Sequence, residues 1–459
     1  MRTYQDLQAV TFNTASVQQF VFDAITDYKG EDAYRDAIEG IAYSKGNNTA
    51  ISEFKKLLYT ITGEAVPDNY SANHKCASGF FHRLTCQLSS FLLSNGVTFE
   101  QDSTKDKLDI NFDTKLLNAT QNALVQGAVY GFYNQDHIDY FTASEFVPLF
   151  DEETGALRAG IRFWQISDLK PLRATLYEED GYTEYIKSKG EIKVLREKTP
   201  YKLILSTSAA DGTRIVDGMN YDAFPIVPLY ANNYKVSELN AIKSQIDAFD
   251  LIKSGFANDL DDASMIYWTI NNAGGMTDID LAKFVERIKV LKSAAVSDEA
   301  KAEAHTIEVP YQSRETYLSR LEADITKDFM GLNIETLSAG NVTATQIRAA
   351  YENINEKADR LENSLIDHLR ALMQFAGVDD YPKFKRSQMA NMMEETQMIM
   401  QCANILDTQT ILEHLPFITV DEVPLILERL QQEEMARVQN VPQIPDNNGT
   451  GINDDLNKE

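Results

Sequence analysis

A group of histidine and cysteine residues has the composition of a metal site. His74 and Cys76 are two residues apart, and His82 and Cys86 follow four residues apart on one predicted helical face. Imidazole and thiolate are ligands that Zn²⁺ prefers, so these four side chains on one ion would make a structural zinc centre. However, the spacings match no familiar zinc finger, and all four residues fall on one predicted helix, Asn73–Leu93. The pattern favours a helix with two small buried thiols and two histidines at its polar edge.

Closely spaced carboxylates are a second candidate for chemistry. They lie on predicted helices and comprise Asp247 with Asp250, Asp259 with Asp261 and Asp262, and Glu322 with Asp324 and Asp328. Asp324 and Asp328 share a helical face and could hold a divalent cation. No phosphate-binding glycine loop, nucleophile elbow, dinucleotide fingerprint or His-Glu-x-x-His motif accompanies them. A solvated helix face explains them better than a catalytic pair, and a metal-dependent nuclease or hydrolase is the alternative.

Three long amphipathic helices must position these carboxylates. Apolar residues at steps of three and four predict helices over Val236–Asp262, Arg314–Met330 and Ala344–Phe375. A small insert at 264–312, with two strand-like runs around a short helix, separates the first two helices. The polar loop Asn333–Val342 separates the last two. Such narrow apolar stripes indicate rods that pack in an oligomer rather than the walls of an enzyme pocket.

The rest of the chain predicts an α+β fold that is mainly helical. Residues up to Tyr130 have mostly helical spacing, including a predicted helix over Asp113–Tyr130. From there to Leu229, short β-rich runs alternate with turn signals, which is typical of an antiparallel sheet. After Gly377 the chain is again helical and rich in methionine. The tail from Asn440 is rich in Pro, Gly and Asn and is predicted to be disordered.

The bulk composition restricts the class of function. The 459 residues carry a formal net charge of −26, which argues against a surface that wraps nucleic acid by neutralising phosphates. Three cysteines make an odd number, so no disulfide framework is implied. No apolar run is long enough to span a membrane, and the first residues lack the apolar core of a signal peptide. We therefore expect a protein made and kept in a cytoplasm, with no membrane partner.

Several segments in a fixed order carry a family resemblance. They are Phe224-Pro-Ile-Val-Pro-Leu-Tyr-Ala-Asn-Asn233, Val236-Ser-Glu-Leu-Asn240, Asn258-Asp-Leu-Asp-Asp262 and Leu337-Ser-Ala-Gly-Asn-Val-Thr-Ala-Thr-Gln346. The last of these leads into the third long helix and is the most telling. Together they resemble the portal proteins of tailed bacteriophages, in the branch that infects Gram-positive hosts, over roughly residues 30–435.

The resemblance implies the architecture of a portal subunit. Its parts would be a wing at 1–233, stem helices at 234–263 and 313–332, a clip at 264–312, a tunnel loop at 333–343, a long bridging helix at 344–377, a crown at 378–439 and a disordered tail at 440–459. Two sets of side chains would face DNA. The tunnel loop would present Ser338, Ala339, Gly340, Asn341, Val342 and Thr343, and an acidic stem lining would present Asp247, Asp250, Asp259, Glu322 and Asp328.

The resemblance also implies a function without catalysis or cofactors. Twelve copies would form a ring at one vertex of the capsid, assembled in the host cytoplasm and retained in the virion. Double-stranded DNA would pass through the ring regardless of its sequence. The implied partners are the terminase large subunit, the major capsid protein, the scaffold protein and the head–tail adaptor. A different ring-forming adaptor of the phage head is the alternative within this class.

Overall fold

The computed structural model describes most of the chain. The described residues are 2–59, 63–68, 71–101, 103–207, 214–263, 267–271, 277, 279, 301–305, 311–332, 344–387, 396, 399–403, 405–415, 418–419 and 422–439. The chain divides into two compact units, Met1–Ser387 and Gln388–Glu459. The fold mixes helices and antiparallel sheets and is about 51% helical.

Helices dominate both ends of the first unit and the described part of the second. In the first unit they are α1 Tyr4–Val10, α2 Thr14–Lys29, α3 Asp32–Ser44, α4 Thr49–Ser52, α5 Phe80–Leu93, α6 Ser103–Leu108, α7 Phe112–Gln126, α8 Lys243–Ala263, α9 Tyr311–Asp328 and α10 Ala344–Ala376, with a 3-10 turn at Glu238–Ala241 before α8. In the second unit they are α11 Thr408–His414 and α12 Val423–Gln439. Among the described residues, no helix is long and apolar enough to cross a membrane.

The strands occupy the middle of the first unit. They are β1 Leu57–Tyr59, β2 Ala65–Pro67, β3 Val97–Thr98, β4 Ala128–Asn134, β5 His137–Thr142, β6 Phe146–Phe150, β7 Leu157–Trp164, β8 Leu172–Glu178, β9 Gly181–Ser188, β10 Glu191–Thr199, β11 Lys202–Thr207, β12 Arg214–Met219, β13 Ile226–Tyr230, β14 Tyr267–Asn271, β15 Lys301–His305 and β16 Lys383–Phe384. The largest sheet has the order β10-β9-β8-β7-β6, and a second has the order β13-β4-β5.

Two apolar cores hold the first unit together. The larger one lies where α5, α7, α8 and the long helix α10 meet the three-stranded sheet; Leu88, Leu116, Ile246 and Leu365 are buried members of it. Apolar residues recur every three or four positions along each of these helices, so one face of each helix packs into this core. The second core lies between α2 and the five-stranded sheet, and strand alternation supplies every second residue of β7 and β8 to it.

The structure corrects the predicted helix Asp113–Tyr130. Helix α7 ends at Gln126, and Gly127 has a positive φ of 87° that stops it. A side chain at Gly127 would also bring its Cβ to 2.8 Å from the carbonyl oxygen of Lys235. The chain then turns directly into strand β4, so two strands, β4 and β5, replace the end of the predicted helix and the turn after it.

The predicted helix Asn73–Leu93 is also shorter than expected. Helix α5 begins at Phe80, because the preceding residues lie along α8 instead. The backbone N–H of His74 donates to Asn258 Oδ1 at 2.6 Å, and the backbone N–H of Cys76 donates to Ser254 Oγ at 2.9 Å. These bonds to a distant helix give the backbone a partner that the sequence pattern alone does not reveal.

Candidate conduit-forming helices and their surroundings

Helices α8 and α9 form an antiparallel pair. Arg314, near the start of α9, makes an ion pair with Asp259 near the end of α8. At the opposite ends, Gln245 of α8 donates to a carboxylate oxygen of Asp328 on α9. Polar contacts at both ends therefore fix the relative direction and the register of the two helices.

Only one half of this helix pair is buried in the first unit. Ile246 and Phe249 of α8 and Ile325 of α9 belong to the larger core. Toward the other end, Leu260 and Tyr317 are about half exposed, at 54% and 48%. The pair thus leaves the body of the unit with part of its apolar stripe uncovered, as the sequence pattern predicts for helices that pack in an oligomer.

Two strands join the distal ends of the pair. β14 and β15 pair antiparallel, with Tyr267 opposite His305 and Asn271 opposite Lys301. The predicted strands at Ile266–Ile270 and Ala304–Val309 are therefore present with shifted bounds. The predicted short helix between them, 278–290, lies almost wholly outside the described residues.

The end of α9 is held by side chains from two other helices. Lys357 of α10 donates to the carbonyl oxygen of Phe329 at 2.8 Å and pairs with Glu238, beside the start of α8. Its ammonium lies 3.6 Å from the centre of the Phe329 ring. Gln87 of α5 donates to the carbonyl of Leu332 at 3.1 Å and accepts from its N–H at 3.0 Å. These bonds fix the positions of Phe329 and Leu332, after which the chain continues into residues 333–343.

Four of the five predicted lining carboxylates are at least partly exposed, and each of them contacts a donor from this chain. The pairs are Asp247 with Lys243 at 3.0 Å, Glu322 with Arg83 at 3.3 Å, Asp259 with Arg314, and Asp328 with Gln245. The contacts of Glu322, Asp259 and Asp328 join different helices and so position α5, α8 and α9 relative to one another, whereas the pair of Asp247 and Lys243 lies within α8. Their use as a DNA-facing lining stays a prediction.

Asp250 does not belong to an exposed lining. Its side chain is fully buried between α8 and the loops before α4 and α5, where Asn48 donates to it. Burial raises the pKa of the Asp250 carboxyl above its ordinary value, partly offset by hydrogen bonds from Asn48 and Ser78. The prediction that this residue faces a bore is wrong, because α8 turns this position toward Asn48 and Ser78 rather than toward solvent.

Replacement of Asp250 by asparagine should therefore be tolerated at neutral pH. We expect Asp250→Asn to leave the free energy of urea unfolding at pH 7 within about 1 kcal/mol of wild type or to raise it, because it removes a buried charge. A raised folded-state pKa means that the folded protein binds more protons than the unfolded chain, so wild type should gain on the variant as pH falls. A loss above about 2 kcal/mol at pH 7, without this pH trend, would contradict the assignment; Asp259→Asn is the exposed control.

The histidine and cysteine residues separate into two pairs. His74 Nε2 lies 3.0 Å from Asp261 Oδ2, whereas Cys86 Sγ lies 3.6 Å from His82 Nε2 and accepts from Gln121 at 3.0 Å. Within the described ranges, no three His, Cys, Asp or Glu side chains are grouped closely enough to hold a metal ion. The two pairs diverge because Cys76 and the residues around it follow α8 rather than α5.

The predicted tunnel loop, with Ser338, Gly340 and Asn341 at its centre, lies outside the described residues. Three polar residues in the interior of the first unit were not predicted from sequence: His368, which is buried, and Gln87 and Lys357, which are partly buried. Lys357 had a readable signal, because it interrupts the apolar stripe of α10 next to Ile354 and Ala358. His368 lies on the same buried stripe, and neither its partners nor those of Gln87 could be inferred from spacing.

Comparison with known proteins supports the ring-forming interpretation. The family model described as phage portal protein, SPP1 Gp6-like, matches residues 28–439. The chain belongs to this portal protein family. The portal protein of Clostridium phage phiCD119 is 26% identical over 79% of this chain and 85% of its own length. The portal protein of Bacillus phage SPP1 is 21% identical over 88% of this chain and 82% of its own length.

A solved particle structure aligns with part of this portal family member. A chain in the neck of an empty GTA particle aligns with 72% of this chain and 88% of its own length, at a TM-score of 0.43 and 10% identity. The predicted family is confirmed by the family model and the two phage relatives. A portal protein is a structural virion component that forms a ring at a vertex of the capsid.

Proposed function

We propose that the ring contains twelve copies and conducts double-stranded DNA into the head during packaging and out of it during ejection. Membership of the portal family over residues 28–439 is the observation that carries this proposal. The ring would dock the terminase large subunit and, later, the head–tail adaptor. It would be assembled with scaffold and major capsid protein in the host cytoplasm and would perform no catalysis of its own.

The helix pair α8–α9 is the proposed stem. It is anchored at one end in the larger core and exposes apolar side chains toward the other end, where β14 and β15 begin the proposed clip. In a ring, the uncovered part of the stripe would be buried against neighbouring stems, since an exposed stripe on a rod is stabilised by a second rod. The segments 1–233 and 378–439 would be wing and crown.

The proposed tunnel loop, 333–343, would contact the DNA backbone rather than its bases. Its sequence offers hydroxyl and amide groups and contains no lysine or arginine. Such groups bind phosphate and sugar without reading the sequence, and they bind weakly, which suits a surface that DNA must slide past. The anchored end of α9 supports this role, because it would hold the base of the loop at a constant distance from the axis.

Mass and shape of the purified protein test the ring directly. We expect light scattering to give a mass near twelve times the 51.7 kDa chain and negative-stain images to show rings with an axial hole. Substituting both Leu260 and Tyr317 by glutamate should reduce the ring population. Each chain would carry two new charges, so the contact between the stems of two neighbouring chains would bury four. Monomers of the wild type at every concentration, with scaffold protein added, would contradict the proposal.

A further inference from the structure

The five-stranded sheet carries a basic and aromatic surface in an otherwise acidic chain. Strand register places Trp164, Arg173, Ile186 and Lys193 in one row across four strands, and the next row contains Arg162 and Arg196. Arg162 lies with its guanidinium 5.1 Å from the Trp164 ring centre. We call Arg162, Trp164, Arg173, Lys193 and Arg196 the basic sheet face.

This face points away from α2. The alternate residues Phe163, Ala174, Tyr185 and Val194 lie on the opposite side of the sheet and belong to the core under α2. Successive side chains of a strand point to opposite sides, so the basic sheet face lies on the side away from α2. Phe141 covers this side near Phe146 and Arg162, whereas Arg173 is exposed. Lys193 and Arg196 are 69% and 53% exposed accordingly.

The positive charge of the basic sheet face is only partly neutralised. Lys193 contacts Glu191 at 2.9 Å, and Arg196 contacts Glu184 at 3.5 Å. In the part of the chain that the structure describes, no carboxylate lies within ion-pair distance of Arg173 or Arg162. Arg162 also stacks on the Phe141 ring at 4.5 Å with its Nε buried, so Arg173 is the exposed, uncompensated guanidinium beside the tryptophan. A cation of this kind on a chain with a net charge of −26 fits an acidic protein surface.

The opposite side of the same wing region presents acidic groups. Helix α2 buries Phe22 and Ile25 against the sheet, so its exposed side, with Asp23 and Asp27, faces away from it. Asp32 follows at the start of α3, is 88% exposed and makes an ion pair with Arg35, which is itself 67% exposed. Arg2 contacts both α2 carboxylates, at 3.8 and 2.7 Å. We call Asp23, Asp27 and Asp32 the acidic helix face.

The two layers differ in charge along the sequence as well. Residues 157–199 contain nine lysines and arginines against seven carboxylates, whereas residues 1–44 contain three against seven. Opposite charges on opposite sides of one layer suit a head-to-tail contact between copies, and a head-to-tail contact that closes on itself makes a ring. A symmetric two-fold contact would bring like charges together and is disfavoured.

We propose that the basic sheet face of one copy binds the acidic helix face of the next copy around the ring. This inference rests on the ring itself and adds which wing surfaces meet in it. Long-range attraction between these faces would orient two strongly acidic chains that otherwise repel each other. Trp164 would supply the flat apolar contact at the centre of the interface, where aromatic side chains are favoured.

Charge reversal of each face gives a direct test. The sheet variant carries Arg173→Glu, Lys193→Glu and Arg196→Glu, and the helix variant carries Asp23→Lys, Asp27→Lys and Asp32→Lys. Each variant alone places like charges in every interface. We expect both to remain at the 51.7 kDa mass of one chain by light scattering, at a concentration at which wild type forms rings.

An equal mixture of the two variants should assemble again. In an alternating ring, every reversed sheet face meets a reversed helix face, and every native sheet face meets a native helix face. The mixture should therefore give rings with an even number of copies in negative stain. Circular dichroism of each variant alone must match wild type, so that a loss of assembly is separated from a loss of folding.

Three results would overturn the proposal. Rings from either variant alone would show that these faces do not meet, while leaving the portal function intact. Failure of the mixture to assemble, with both variants folded, would show that the faces contact something else. Normal rings that package less DNA would assign the basic sheet face to nucleic acid. Lys383→Glu together with Arg360→Glu reverses two cations that are 59% and 72% exposed on other elements and should leave assembly unchanged.

Discussion

Lys357→Ala should destabilise the first unit by about 3 kcal/mol, measured as the free energy of unfolding in urea. Lys357 is buried together with Glu238, and their side chains are 13% and 11% exposed. Its removal would leave a buried carboxylate without a cation, which typically costs 3–5 kcal/mol. It would also leave the Phe329 carbonyl at the end of α9 without its donor.

Arg360, on the surface of the same helix, supplies the control. Arg360 pairs with Glu356 one turn away, but its side chain is 72% exposed, so Arg360→Ala should change stability by less than about 1 kcal/mol. The double variant Glu238→Gln with Lys357→Met should recover much of the loss, because no charge stays buried. Equal effects of the Lys357 and Arg360 substitutions would show that the buried pair does not anchor the end of α9.

Acidification from pH 7.5 to 4.5 should destabilise the first unit by about 2–3 kcal/mol through His368 alone. This histidine is buried against β4 and β13, and its Nδ1 contacts the carbonyl of Pro228 at 3.2 Å. Burial lowers the pKa of His368 from its ordinary value of 6.5 to about 4. The difference corresponds to roughly 3 kcal/mol at about 1.4 kcal/mol per pKa unit.

The direction of this effect follows from proton binding. Below about pH 6.5 the unfolded chain takes up a proton on His368, whereas the folded chain does so only near pH 4. The unfolded state therefore binds more protons in this window, and stability falls as pH falls. Gly131 and Tyr140 pack against the ring, and burial raises the pKa of Tyr140 far above this range, so Tyr140 does not titrate here.

His368→Gln separates this histidine from the other titrating groups. The free energy of unfolding should be measured in urea for both proteins at several pH values between 7.5 and 4.5. We expect the difference between wild type and variant to shrink by about 2–3 kcal/mol across that range. If the unfolding free energies of the two proteins stay parallel across this pH range, His368 is protonated equally in the folded and unfolded chains. That result would contradict the burial of its ring with only the Pro228 carbonyl as a hydrogen-bond partner.

The local pattern of the sequence predicted most of the helices and strands on which the candidate site and the proposed interface depend. Five β-rich runs from Phe146 to Leu195 became strands β6–β10, because alternation and turn residues are local signals. The long helices were predicted to within a few residues at most ends. Helix α3 and strands β4 and β5 were missed. The buried positions of α3 are Ala37, Gly40 and Tyr43, of which two are small, and β4 is buried on both faces and does not alternate.

The candidate site was less predictable than the elements that carry it. Asp250 and Asp259 lie in the same helix with the same side chain. Asp250 is fully buried, whereas Asp259 makes an ion pair with Arg314 near the end of α8. Helical spacing predicts on which face of the helix a residue lies, but not which other segment packs against that face. The bond from Asn48 to Asp250 spans about two hundred residues, and no local rule predicts it.

Residue types and their periods thus fixed the helical rods, the antiparallel sheet and the acidic surface, because backbone preference and apolar spacing act within a few residues of the chain. Segment order also indicated the portal family. Which carboxylates are buried, where Lys357 and His368 find their partners, and how the sheet separates a basic from an acidic side required contacts between distant segments. Burial and ion pairing depend on those contacts, and so does each pKa and each interface proposed from them.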